Sequence, residues 1–319
     1  MFNKKNIFRI FLTSIFVFVV YYYLTKKDLL QVLISVNIKY LIFAILIAWL
    51  IMVLTTWLTF TVRLKKYRHK LFDLIFYPVT QILWGYVMPV QGSLFFSTLY
   101  FKRIHNVGIS KSISVNLFFM NISLFLGSLL GLGYSIFFIR DTMLVALFFI
   151  ALFGSFLPLV LSLFLKGKTF HSRFTFVKKV FNYITATSFD FSESFKYVLN
   201  NKLFILVYLT RNILFISWLS LIAYSLEIKV PVMAIAILYF FMEVSLVFKF
   251  TPGNWGIQQL IGGILFSSIG LLPEDAVAIT TFTLSITFLL GISFGILGNF
   301  IFFRDFNILN YIKKTSPIN

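Results

Sequence analysis

Apolar runs long enough to cross a bilayer recur along the whole chain, and no other feature leaves it so little choice of fold. Spanning the hydrocarbon core takes about 20 predominantly apolar residues in a helix. Runs of that kind fall near 7–24, 40–62, 112–138, 143–165, 203–226, 231–250 and 277–302. Backbone in lipid has to satisfy its own hydrogen bonds, so each run is expected as a helix. Composition agrees, with 60% of residues hydrophobic and 12% charged, against roughly 25% charged in a soluble domain. The expectation is an all-α integral membrane protein of about eight transmembrane helices, forming a single polytopic domain over residues 1–319. The first run follows Lys4, Lys5 and Arg9 as a signal peptide would. It lacks a small-residue cleavage site and ends in an aromatic and basic anchor, Tyr21 to Lys27, so it is expected to be retained.

The net charge of +18 would point to nucleic acid in a soluble protein. Here the cations are sorted by loop instead, and no nucleic-acid partner is expected. Segments 1–9, 63–70, 102–111, 166–202 and 304–314 hold 21 Lys and Arg, whereas those near 25–39, 140 and 229 hold five. Positive loops stay inside, which predicts a multi-pass protein of the plasma (inner) membrane with both termini cytoplasmic. Within the 166–202 loop, Phe176, Val177, Val180, Phe181, Tyr183 and Ile184 share one helical face, as in a helix lying at the interface. The absence of cysteine excludes disulfides, thiolate zinc sites and cysteine nucleophiles. His69, His105 and His171 have no metal-ligand spacing, and no Gly-Lys-Ser/Thr phosphate loop is present. Neither a metal nor another cofactor is expected, nor ATP hydrolysis.

Two shorter segments, 74–104 and 252–271, are interrupted by turn formers and polar residues. The first contains Trp84, Gly85, Pro89, Gln91, Gly92 and Ser93; the second contains Pro252, Gly253, Asn254, Trp255, Gly256, Gln258 and Gln259. Charge alternation requires 74–104 to begin and end on one side, as a re-entrant hairpin. Segment 252–271 reads as a short helix reached through a broken turn, with Asn254 as its cap. Broken helices in two parts of a chain point to a transporter's binding site, because a helix beginning inside the membrane aims free N–H groups into a cavity. The pairs Gly127/Gly131 and Gly291/Gly295 have the small-xxx-small spacing that lets helices approach closely.

Residues 86–110, "YVMPVQGSLFFSTLYFKRIHNVGIS", and 250–282, "FTPGNWGIQQLIGGILFSSIGLLPEDAVAITTF", resemble two hallmark stretches of the lysylphosphatidylglycerol synthase transmembrane, flippase-like family. The resemblance implies a membrane domain acting on lipid, with the second hallmark reading Pro-Gly-Gly-x-Gly-x-x-Glu. This chain departs from that pattern at Asn254 and at Gln259, and at Ser93 after the first turn, where Lys102 and Arg103 are the nearest cations. Its ionic chemistry is therefore expected to differ from that of relatives. No aminoacyl-transferase segment is recognisable in the 319 residues, so lysyl transfer is not expected of it.

Arg211, Glu243 and Lys249 interrupt otherwise apolar runs, and an ionisable residue inside a membrane is a functional candidate by default. Runs 203–226 and 231–250 should form an antiparallel hairpin. In it Arg211 and Glu243 lie at matching depths of ~10–12 Å from the same end, at a rise of about 1.5 Å per residue. The leading expectation is a non-ATPase transporter, not an enzyme, that moves an anionic phospholipid or a polyprenyl-linked headgroup across the membrane. The candidate substrate-binding set is Gln91, Ser93, Arg103, Arg211, Glu243, Lys249, Pro252, Gly253, Asn254, Gly256, Gln258 and Gln259. The alternatives are a membrane-embedded glycosyltransferase, which needs outward-facing carboxylates where the first outer loop offers only Asp28, and an accessory subunit of envelope polysaccharide or glycolipid assembly. A partner glycosyltransferase or synthase would fit either the transporter or the accessory role.

Overall fold

The computed structural model describes residues 36–64, 70–87, 92–139, 142–165, 185, 190–245 and 254–303. Their regular structure is helical, without a strand. The long helices are α1 (Ile38–Leu64), α4 (Ile109–Tyr134, continued by a π-helical turn Ser135–Ile139), α5 (Thr142–Leu165), α7 (Lys202–Ser225) and α10 (Pro273–Phe303). Shorter helices are α2 (Leu71–Val87), α3 (Gly92–His105), α6 (190–199), α8 (Val232–Ser245) and α9 (Ile257–Ser268). Four of the described helices are long and apolar enough to cross a membrane, spanning Ile38–Leu64, Ile109–Phe137, Lys202–Ser225 and Pro273–Phe302. This is an all-α, multi-pass membrane protein.

Segment 74–104 folds as an antiparallel hairpin of α2 and α3. Tyr100 donates to Asp73 at the open end (3.0 Å), Tyr77 donates to Ser97 in the middle (2.9 Å), and Gly85 packs on Ser93 near the tip. At 17 and 14 residues the two arms extend about 25 and 21 Å, short of the ~30 Å hydrocarbon core. That is the geometry of a re-entrant element. Its turn, with Pro89 and Gln91, lies outside the described residues. Aromatic rings fill the space between the arms, with Tyr77 and Tyr100 4.8 Å apart at 63° and Phe60 of α1 closing edge-on against Tyr77.

Helix α10 is the spine that both interrupted segments share. Its C-terminal half runs antiparallel to α2 along Gly291, Gly295 and Gly298, which is possible only because these positions lack a side chain. A Cβ on Gly295 would stand 2.6 Å from the Val79 carbonyl, and one on Gly291 would stand 2.8 Å from Ile82. The expected packing role of Gly291/Gly295 holds, and Gly298 extends it. The N-terminal half of α10 pairs with α9, whose Gly262 and Gly263 face Ala276 and Val277. Glu274 and Asp275 lie in the first turn of α10, where carboxylates complement the helix dipole.

Helix α7 pairs antiparallel with α1, through Asn37 N–H to the Ser225 carbonyl and Arg211 Nε to Thr55 Oγ1, and forms a hairpin with α8. In the long loop, the predicted amphipathic stretch 176–184 lies outside the described residues. The helix that is described, 190–199, buries Phe191 and Val198 with Phe118 of α4 and Phe204 of α7.

Candidate functional site

The two interrupted segments meet on α10. Tyr86, in the last turn of α2, donates to the Leu284 carbonyl at 3.0 Å and shares a hydrogen bond with Thr287 Oγ1 at 3.0 Å. The Trp255 indole, which can only donate, reaches the same hydroxyl from the second break. One phenol thus ties the tip of the first hairpin to the start of α9. Neither Tyr86 nor the α10 threonines were singled out in the sequence; the only signal was an aromatic residue beside each break.

At the second break the backbone turns sharply. Asn254 has φ +64° and Gly256 φ +82°, left-handed values that glycine and asparagine adopt most readily. Helix α9 begins at Ile257, with Gly256 as the N-cap residue. The expected capping by Asn254 does not occur. Its amide reaches back to α8 instead, donating from Nδ2 to the Ser245 carbonyl (3.2 Å) and to Ser245 Oγ (2.9 Å). A carbonyl only accepts, so this bond fixes the amide's orientation and turns Asn254 Oδ1 away from α8. That oxygen is buried and has no hydrogen-bond partner among the described residues, and neither does Gln258 Oε1. The two residues are 3% and 5% exposed.

Gln259, expected to face a headgroup, is committed within the protein. Its Oε1 accepts from Gly256 N–H at 2.7 Å, and its Nε2 donates to Thr281 on α10 at 3.4 Å. This is the reciprocal half of a capping box, since Gly256 has no side chain to give the other half. Gln259 therefore builds the break, whereas Asn254 and Gln258 carry its open acceptors.

Arg211 and Glu243 form the ion pair their depths implied, Nη2 to Oε1 at 2.9 Å. The guanidinium also donates from Nη1 to Tyr239 OH (2.8 Å) and Asn212 Oδ1 (3.0 Å), and from Nε to Thr55 Oγ1 (3.3 Å). All three of its nitrogens have partners, drawn from α1, α7 and α8. Two residues beyond Glu243 is Ser245, on which Asn254 docks, so the pair sits beside the break. Ser93 lies near the hairpin tip, its carbonyl accepting from Gln81 at 3.5 Å. Arg103 lies exposed in the last turn of α3, at the open end of the hairpin about 15 Å from Ser93 along the helix. The structure does not bring Arg103 to the break. Gln91, Lys249, Pro252 and Gly253 fall outside the described residues.

Among the described residues, no group of three His, Asp or Glu side chains is placed to hold a metal ion. The family model for the lysylphosphatidylglycerol synthase TM region matches residues 6–295, which takes in both interrupted segments and the spine between them. The chain belongs to this family. Its members' membrane region is thus the part of this protein that holds the Tyr86–Trp255 junction and the acceptors at 254 and 258. No curated protein and no solved structure matches the chain.

The sequence missed one buried cation altogether. Arg63, counted there with a basic loop, lies in the last turn of α1 and is fully buried. The adjacent Lys65 and Lys66 disguise it, and its contacts come from residues 14 to 53 positions away.

Proposed function

We propose that this protein carries lipid headgroups across the plasma membrane without hydrolysing ATP, along a polar path between the two interrupted segments. The observation that carries this reading is the pair of buried, unpartnered amide oxygens on Asn254 and Gln258, at a helix start inside an apolar bundle. A buried acceptor without a partner costs about 1–3 kcal/mol, and a passing donor removes that cost while it is bound. Headgroup hydroxyls are such donors. An anionic phospholipid with a glycerol headgroup and a polyprenyl-linked sugar both offer several of them. The neutral amide at Gln259, where the family pattern has Glu, leaves no fixed negative charge at the helix start to repel a nearby phosphate.

Arg211 and Glu243 hold the bundle beside this path and do not contact the substrate in this reading. The excess of Lys and Arg on alternate segments gathers anionic lipid at the cytoplasmic face, at about 1 kcal/mol per residue. The same bias supports a topology with both termini in the cytoplasm. No covalent chemistry is assigned to the chain, and a membrane synthase or glycosyltransferase would supply or consume the lipid it moves. The test is headgroup accessibility in proteoliposomes. The protein should equilibrate a labelled anionic phospholipid or a polyprenyl-linked sugar between leaflets without nucleotide. Movement of neither above the rate in protein-free vesicles removes the reading.

A further inference from the structure

Among the described residues, the second buried arginine has no counter-charge. Arg63 donates from Nη1 to Tyr77 OH (3.2 Å), and from Nη2 to the Ser112 carbonyl (3.1 Å) and Asn116 Oδ1 (2.7 Å); its guanidinium lies 4.1 Å from the centre of the Phe101 ring. Every one of these partners is neutral, and the ionisable group that acts on the cation is the Tyr77 phenol. The neighbouring carboxylates are engaged elsewhere, Asp73 accepting from Tyr100 and Asp190 from Ser110. The C-terminal end of α1 favours a cation, but it brings no full counter-charge.

Three buried atoms on these touching residues lack partners among the described residues: Arg63 Nε, Asn116 Nδ2 and Ser112 Oγ. All three can donate. The Asn116 amide is oriented by its bond from Arg63, which can only donate, so its Nδ2 is a free donor by necessity. A water molecule has two lone pairs for three donors and brings no charge. The acceptors nearest to it, Ser112 O and Asn116 Oδ1, already receive the guanidinium. An oxyanion accepts only and brings the missing charge.

We infer that Arg63, Ser112 and Asn116 form an anion site for a phosphate-type oxyanion, separate from the break at 254–258. The site lies where the C-termini of α1 and α3 meet the N-termini of α2 and α4. Lys70, Lys102, Arg103 and Lys111 cluster at the same ends, a field that concentrates phosphates there. The inference does not rest on lipid translocation. The phosphate could belong to a lipid or be free in solution, and the chemistry at Arg63 is the same.

The test is thermal unfolding of the purified full chain in a non-ionic detergent. One arm adds inorganic phosphate at ionic strength matched with chloride; a second adds phosphatidic acid, with diacylglycerol as its uncharged control. Ligand that binds only the folded state raises Tm in a saturable way. Asn116→Asp supplies a carboxylate in place, so it should raise the ligand-free Tm and abolish the response. Arg63→Gln should abolish the response as well, and decides the matter if Asn116→Asp does not fold. A response to phosphatidic acid alone assigns the site to a lipid headgroup, and one to inorganic phosphate assigns it to a soluble anion. If the native protein responds to neither, or Arg63→Gln responds as the native protein does, there is no anion site at Arg63.

Discussion

Within one turn of each other, α8 carries two polar arrangements of opposite design. At Arg211–Glu243 the charges cancel and all three guanidinium nitrogens are bonded to the protein. At Ser245 the α8 backbone receives Asn254, and past that contact two amide oxygens are left buried with nothing to bond. The first arrangement is complete without a ligand. The second leaves two acceptors open, which the proposed function fills with a headgroup. Polarity inside a membrane is therefore not by itself a sign of a binding site; what distinguishes the two is whether the protein has already used the hydrogen-bonding capacity it buried.

That contrast predicts the largest loss of stability where the network is full. Arg211→Leu or Glu243→Leu should each cost ~3–5 kcal/mol, because each strands the other's buried charge. The double variant should recover much of the loss, since Tyr239 still donates to Asn212 at 2.7 Å. Thermal melts of the four proteins in detergent form the cycle, and purely additive effects would show that the pair is not coupled.

Next in size is the spine. A side chain on Gly295 meets the Val79 backbone, which cannot move aside cheaply, so Gly295→Val should destabilise by about 1–3 kcal/mol. Because it pushes α2 from α10, it should also slow lipid movement, whereas Gly133→Ala, which meets nothing within 4 Å, should do neither. Equal effects from both glycines would contradict α10 as the shared support.

Tyr86→Phe removes the hydroxyl that joins the two interrupted segments and should cost about 1 kcal/mol. Its effect should largely vanish in a Trp255→Phe background, as expected for one shared contact. Independent effects would mean that the two breaks are not joined there.

Much of this was legible from the chain itself. The helical fold and a short helix after the break near 252–256 follow from apolar run lengths and turn formers, and the hairpin over 74–104 from the alternation of basic segments. Those are local properties. The Arg211–Glu243 pair was also readable, because a short connection forces α7 and α8 side by side and depth then selects partners. What the sequence hid depends on distant packing. Arg63 looked like a loop cation until α2, α3 and α4 closed around it. Asn254 looked like a helix cap because its residue type favours one, but a left-handed backbone at φ +64° turns its side chain to Ser245 and leaves the capping contact to Gln259. Residue type does not distinguish Gln258 from Gln259, adjacent on one helix turn; the Gly256 amide and Thr281 of α10 commit Gln259 and leave Gln258 open.

No loss of stability is expected at Gln258, which carries the most direct test of the account. Gln258→Leu removes an unpartnered buried acceptor without touching the caps or turns of the break. Its melting temperature should equal or exceed that of the native protein, since the cost of the unsatisfied group, about 1–3 kcal/mol, disappears. Headgroup movement in proteoliposomes, measured on the same preparation, should fall to the protein-free rate. A Gln258→Leu protein that is equally stable and moves lipid at the native rate would contradict the claim that the open acceptors at the break handle the headgroup.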